Sequence, residues 1–286
     1  MKSRGKSAAK AKLSCKVVEC IYSTRTDADI HSHSYFPLIS AFQSTSGDMS
    51  ALAASITQVK SSCKDTTLLG SFSENHDRPR FAYLNGDMAA ASNVIAYTLL
   101  ADGIPILYQG QEQHYAASGS NNGGNDPYNR EALWFSKFNT QAPLYLLTQK
   151  LNAARKNAVA KDSGYLTYKN SPIYKDTTTI AMRKGKMVTI LSNKGSSGDN
   201  YTQVIPANYA SGTKVVDLLT CNSLTAATDG SIAVPMGAGA PRVYYPSSDA
   251  TKICAATGSG QTTMKTKTRT KFLPRLTNSA ARVARR

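Results

Sequence analysis

Acidic side chains are in short supply here: 18 Asp and Glu stand against 34 Lys and Arg, a formal net charge of +16 over 286 residues. The shortage is local. Residues 257 to 286 hold eight basic and no acidic residues, residues 1 to 35 hold seven against three, and residues 36 to 256 are nearly balanced at 19 against 15. Basic residues scattered at no helical period, as in "TTMKTKTRTKFLPRLTNSAARVARR", are expected to form a disordered, solvated tail whose polyanion binding is generic. No nucleic-acid signature accompanies it, so no specific nucleic-acid partner is expected. Long apolar runs are also missing. Without a stretch of about 18 apolar residues no membrane span is expected. "MKSRGKSAAKAKLSCKVVEC" lacks the apolar stretch of about 7–15 residues that a secretion signal carries, so as written the chain is expected to be cytoplasmic. Histidine occurs four times. His31 and His33 have no Cys or carboxylate at ligand spacing and read as solvent-facing rather than metal-binding.

What is present is globular: 41% of residues are hydrophobic, enough for one large or two ordinary domains. The chain divides at composition shifts into a divergent basic segment (1–35), a mixed region (36–160), a strand-only region (161–255) and the tail (256–286). In the mixed region "MSALAASITQVKSSC" sets Leu52, Ile56 and Val59 at helical spacing, and the short apolar run "TTLLGSF" that follows reads as a strand. "GDMAAASNVIAYTLLADG" predicts a helix with Met88, Ala91, Ile95 and Leu99 on one face, stopped by Gly103. "IPILYQGQEQHY" predicts a second buried strand, and "PLYLLTQKLNAARKNAVA" a helix burying Leu144, Leu147, Leu151, Ala154 and Ala158. Helix, strand, helix, strand, helix implies parallel strands with helical crossovers. From "GYLTYKNSPIYKDTTTIAMRKGKMVTILSNKG" onward, alternating residues punctuated by turns predict an antiparallel sandwich of roughly seven or eight strands.

Catalytic groups in parallel α/β sheets and barrels gather at the C-terminal strand ends. Both predicted strands end in polar clusters: "SENHD" after the first, "GQEQH" after the second. His76 and Asp77 are expected to face a pocket above the sheet, with Glu112, Gln113 and His114 rimming the same side.

The blocks "LLGSFSENHDRPRF", "DGIPILYQGQEQHYA", "GGNDPYNREALW", "TYKNSPIYKDTTTIAMRKG" and "VTILSNKG" resemble, in this order, the C-terminal half of the fungal α-amylases of glycoside hydrolase family 13. The resemblance implies the fold: the last two strands of a (β/α)8 barrel with their helices, followed by a Greek-key β-sandwich. It implies that His76 and Asp77 grip the hydroxyls of the reacting sugar, Asp77 as transition-state stabiliser, through hydrogen bonds that tighten as the ring distorts. Asp126 and Arg130 match residues used at a more distant sugar, although an ordinary surface ion pair explains them equally well. Glu112 matches a position where a structural hydrogen bond and a sugar contact are both open. The implied substrate is an α-1,4-glucan (starch or maltooligosaccharides), the implied reaction is retaining endo-hydrolysis by a monomer, and the implied compartment is extracellular.

The departures matter as much. Retaining hydrolysis uses two carboxyl groups about 5–5.5 Å apart, a nucleophile and an acid/base. The family's G-x-R-x-D motif and its strand ending in Glu do not occur; Arg4 with Gly5 and the stretch around Glu19 do not reproduce them. A substitute pair of Asp77 with Glu74 or Glu112 has little support, because Glu74 and Asp77 share one short turn. The chain is therefore expected to be a truncated, inactive amylase, and the calcium ligands of full-length relatives are expected to be absent. The resemblance pairs Cys221 with Cys254 and Cys20 with Cys63, leaving Cys15 odd; in a reducing compartment all would stay thiols. Asn200 in "NYT" is a glycosylation sequon wherever the chain meets the secretory pathway. Two other classes stay open: a non-catalytic carbohydrate-binding or interaction module, and a basic-tailed polyanion binder.

Overall fold

The structure, a computed structural model, describes residues 34–63 and 65–254. The expectations for Cys15, Cys20, His31, His33, most of the basic segment and the tail lie outside these residues. The chain starts with α1 (Tyr35–Phe42) and α2 (Met49–Ser62), and continues through β1 (Gly70–Ser71), α3 (Phe81–Leu84), α4 (Met88–Leu100), β2 (Ile104–Pro105) and α5 (Pro143–Lys161). Local chemistry sets the helix starts. The Asp48 carboxylate accepts from the Ser50 and Ala51 amides, the Asp87 carboxylate accepts from the Ala90 amide, and Pro143 opens α5.

β1 and β2 pair in parallel, Gly70 opposite Ile104 and Ser71 opposite Pro105, with α4 crossing between them. Both strands are shorter than the sequence suggests. Thr66–Leu68 form a 3-10 turn whose Asp65 cap accepts from the Thr67 amide, and beyond β2 the chain turns at Gly110, where φ is +87°. One expectation needs correction: α4 is not amphipathic. From Ala89 to Leu100 every residue except Ser92 is buried, because the sandwich closes over the face that would otherwise meet solvent. Ile104 and Ile106, on the wall formed by β2, are exposed.

Eight antiparallel strands follow: β3 (Ser171–Lys175), β4 (Thr179–Lys184), β5 (Met187–Ser192), β6 (Thr202–Ile205), β7 (Lys214–Asp217), β8 (Ser223–Thr225), β9 (Ile232–Pro235) and β10 (Arg242–Pro246). One sheet runs β3-β4-β5-β10-β7-β8 and the other is β6-β9. The last strand returns between β5 and β7, the crossing a Greek key makes. Val188, Ile190, Ile205, Val215, Ile232, Val234 and Tyr244 pack together in the sandwich interior. The opposite side chains of the larger sheet, among them Ile180, Met182, Met187, Leu191, Val216 and Tyr245, join one cluster with Leu38, Val94, Ile95 and Leu151 of the helices. That double covering is why "MVTILS" of β5 is buried at every position instead of every second one.

Polar contacts fasten the two regions. Asp102, just past α4, takes the Lys184 ammonium at 2.5 Å, the Thr66 hydroxyl at 2.9 Å and the Asn170 amide at 2.8 Å. Buried Asn93, in mid-helix, donates to the Gly239 carbonyl and accepts from the Ser192 amide. Among the described residues no helix is long and apolar enough to cross a membrane.

Candidate substrate-binding site

Past β1 the chain stays buried through Phe72, Ser73 and Glu74 before it reaches the surface. The Ser73 hydroxyl accepts from Thr98 of α4 at 3.1 Å and from Gln111 at 2.7 Å, which ties the exit of β1 to the exit of β2. Asn75 then makes the turn: its side-chain Oδ1 accepts from the Asp77 amide at 3.0 Å. His76 and Asp77 are thereby pushed into solvent, with His76 Nε2 3.2 Å from Asp77 Oδ2. On the far side of the turn, the Arg78 guanidinium lies 4.9 Å from the Phe36 ring and 5.8 Å from the Tyr35 ring, anchoring it to α1.

The Gly- and Asn-rich excursion after β2 folds back against this turn. Gly124 permits the approach: a Cβ there would come within 2.6 Å of the Tyr83 ring. Buried Asn129 donates its side-chain amide to the carbonyls of His76 (3.0 Å) and Arg78 (2.8 Å). Arg130 Nε donates to the His76 carbonyl at 3.3 Å and lies 3.1 Å from Asp126 Oδ1, while Arg130 Nη2 is 3.7 Å from Asp77 Oδ1. The four side chains singled out from sequence, 50 positions apart, therefore form one array of two carboxylates, a guanidinium and an imidazole. Their side chains are 46–63% exposed. Ion pairs so exposed contribute about 0–1 kcal/mol, so the array is open and free to exchange its partners for a polyhydroxy ligand.

Beneath it lies a feature the sequence reading missed. Arg80 is fully buried, with Nη1 3.0 Å from Glu74 Oε2 and Nε 2.9 Å from Glu131 Oε2. Its Nη1 also donates to the Gln109 carbonyl at 2.8 Å, and its guanidinium lies 4.3 Å from the Tyr108 ring. Burial pushes the Glu74 carboxyl up to about 7, against the lowering effects of the Arg80 charge and of hydrogen bonds from Arg80 and the Phe81 amide. A raised carboxyl beside Asp77 was not anticipated, yet Glu74 points into the protein. The visible signal was a lone Arg directly ahead of the apolar run "FAYL".

Glu112 is also committed internally, its Oε2 accepting from the Gly110 amide at 3.0 Å. With Gln113 and His114 it lines a separate cleft of about 380 Å³, bounded by Met88, Ser136, Asn139, Pro143 and Leu144. None of the four array residues lines that cleft. His114, at the end of the turn after Gly110, adopts φ +61°. Burial lowers the His114 pKa, so its imidazole is neutral. Among the described residues there is no group of three or more His, Cys, Asp or Glu placed to hold a metal ion.

A parallel βαβ segment bearing this array past its strand ends, continued by a Greek-key sandwich, places the chain among α/β proteins with an appended all-β region. Residues 17–175 match the model of the α-amylase catalytic domain and residues 172–262 that of α-amylase domain C. α-Amylase 1 of Schwanniomyces occidentalis is 44% identical over 218 residues, which is 75% of this chain and 41% of that protein. α-Amylase 1 of Lipomyces kononenkoae is 47% identical over 234 residues, 80% of this chain and 36% of that protein. The structure of an α-amylase from Malbranchea cinnamomea superposes with a TM-score of 0.72 at 45% identity, covering 78% of this chain and 46% of that one. The chain belongs to the α-amylase family, and it spans less than half the length of these relatives. Cys221 and Cys254 are bonded, with Cα atoms 5.4 Å apart, and Cys63 is also in a disulfide; Cys20 lies outside the described residues.

Proposed function

We propose that this chain carries the glucan-gripping part of a retaining, endo-acting α-amylase. In this reading Asp77 and His76 hold adjacent hydroxyls of the sugar undergoing reaction, and Asp126 with Arg130 holds a sugar further along. The observation that carries it is the convergence of all four side chains, from two loops, into one solvent-facing array. Carboxylates accept and the guanidinium and imidazole donate, so neighbouring hydroxyls, each both donor and acceptor, can be met on both counts. As the ring flattens toward an oxocarbenium ion, a carboxylate placed at its hydroxyls gains strength.

The chain on its own is proposed to bind glucan without cutting it. Of the carboxylates on these loops, Glu74 is held by Arg80 and the Phe81 amide, Glu131 by Arg80 and the Ala117 amide, and Glu112 by the Gly110 amide, while Asp126, exposed beside Arg130, is assigned to the more distant sugar. In this reading none of them serves as nucleophile or proton donor. Purified 286-residue chain is expected to bind maltoheptaose by calorimetry and to release no reducing ends from soluble starch, and Asp77→Asn is expected to weaken that binding about tenfold or more. Release that Asp77→Asn abolishes would mean a catalytic pair exists among residues assigned other work. No binding by the wild-type chain would sink the reading.

The working compartment is proposed to be extracellular, in line with the family and with the Cys221–Cys254 bond. Asn200 is proposed as an N-glycan acceptor: it is exposed just ahead of β6, with Thr202 two positions on. Chain secreted from a yeast host is expected to lose one glycan's mass on treatment with a glycoamidase. Thr202→Ala is expected to lack that mass from the start, and an unchanged wild-type mass would refute the assignment.

A further inference from the structure

We propose that Glu74, Arg80, Asn129 and Glu131 are positioning residues, a buried clamp that sets the spacing of the loops carrying His76–Asp77 and Asp126–Arg130, so that glucan affinity depends on contacts no sugar touches. This rests on the reading of those four exposed side chains as the glucan-binding array. Arg80 stands three positions after Asp77, and Glu131 directly follows Arg130. The 2.9 Å contact between Arg80 Nε and Glu131 Oε2 therefore joins the two loops at their bases. Each glutamate spends its second oxygen on backbone: Glu74 Oε1 accepts from the Phe81 amide at 3.0 Å, and Glu131 Oε1 from the Ala117 amide at 2.6 Å. Glu131 thus closes the excursion from 117 to 131 upon itself while Arg80 holds it to the first loop. Asn129 repeats the connection nearer the surface through the His76 and Arg78 carbonyls.

Stability alone is a poor account of this arrangement. A buried ion triad carries a desolvation penalty, and well-packed apolar residues commonly do as well or better. What the triad adds is direction: a planar guanidinium fixes two carboxylates at set distances and angles. One position on Arg80, Nη2, is buried with no acceptor among the described residues.

The test uses the full chain, maltoheptaose calorimetry at low temperature, circular dichroism to establish folding, and amide exchange. Glu131→Asp keeps the charge and shortens the arm by one methylene; Asn129→Ala leaves both ion pairs intact. Each is expected to remain folded and to bind maltoheptaose about tenfold or more weakly, since displacements near 1 Å carry penalties up to about a hundredfold. Exchange at the Asp77, Asn129 and Arg130 amides is expected to rise about tenfold, with β5 unchanged. A merely structural role predicts a lower melting temperature with unaltered affinity and unaltered loop exchange in the folded protein, and that result overturns the proposal. If the wild-type chain does not bind maltoheptaose, the array reading fails and takes the affinity claim with it. Unchanged exchange would separately overturn the clamp.

Discussion

Arg80→Met is expected to lose about 3–5 kcal/mol of stability at pH 8 and distinctly less at pH 5. The size follows from what the substitution leaves behind. Removing one member of a buried ion network strands the others, and Glu74 and Glu131 would both face an apolar thioether in place of a guanidinium. The pH dependence follows from Glu74. Its carboxyl, ordinarily near 4.5, is raised to about 7 by burial. The native state therefore holds a proton that the unfolded chain releases, so this group's contribution is fully present below about pH 4.5 and is lost as pH rises through about 7. Across that window the wild-type loss amounts to roughly 3 kcal/mol. Without Arg80, whose charge opposes the shift, the carboxyl climbs further, so the variant escapes most of its penalty at pH 5 by keeping Glu74 protonated. Urea midpoints for wild type, Arg80→Met and Glu74→Gln at the two pH values check this. Equal losses at both values would show that Glu74 does not titrate in this range, and a loss under about 1 kcal/mol would show that water reaches the triad. Glu74→Gln is expected to flatten the wild-type pH dependence.

The same residue marks the boundary of what the sequence discloses. α2, α4 and α5 were legible because their apolar spacing is local, and Asp48 and Asp87 cap where a cap belongs. β9 was legible because only one of its faces is buried: Ile232 and Val234 turn inward while Ala233 and Pro235 turn out. Periodicity fails where a second layer covers the far side. It suggested one apolar face for α4, whereas the sandwich buries nearly all of it. Long-range polar pairs leave no periodic trace at all. Arg80 and Glu131 are 51 positions apart, Asp102 and Lys184 are 82 apart, and nothing in the neighbourhood of either residue names its partner. His76 and Asp77 were legible as a polar cluster at a strand end, whereas Asp126 and Arg130 came only from family-like blocks. Without those blocks Asp126 and Arg130 read as an i,i+4 surface pair, which in isolation they are. Strand-end logic places both loops on one side of a sheet but says nothing of a left-handed residue such as His114, beyond which Glu112, Gln113 and His114 line a cleft of their own.

Opening the Cys221–Cys254 bond is expected to cost about 3–4 kcal/mol, independent of pH between 5 and 8. The two residues are 33 apart, and closing a loop of that length removes entropy from the unfolded chain worth roughly 4 kcal/mol in the chain-entropy account. The loop contains β8, β9 and β10, and β10 sits between β5 and β7 in the larger sheet, so the bond tethers the strand on which that sheet's continuity depends. The native anchorage is firm at both ends. Cys221 follows the turn in which buried Asp217 accepts from the Leu219 and Val243 amides and the Thr220 hydroxyl, and the Cys254 amide donates to the Ala250 carbonyl. A Cys221→Ser/Cys254→Ser double variant avoids a stray thiol. It is expected to shift the urea midpoint under oxidising conditions and to match the wild type once both are reduced. If the double variant and the wild type are equally stable under oxidising conditions, the Cys221–Cys254 bond is incidental to the sandwich, and the extracellular reading loses the physical ground that this disulfide gives it. If the difference appears there, a chain held in a reducing compartment carries a sandwich weakened by several kcal/mol against typical domain stabilities of about 5–15 kcal/mol. The fold itself then favours the oxidising side of the membrane.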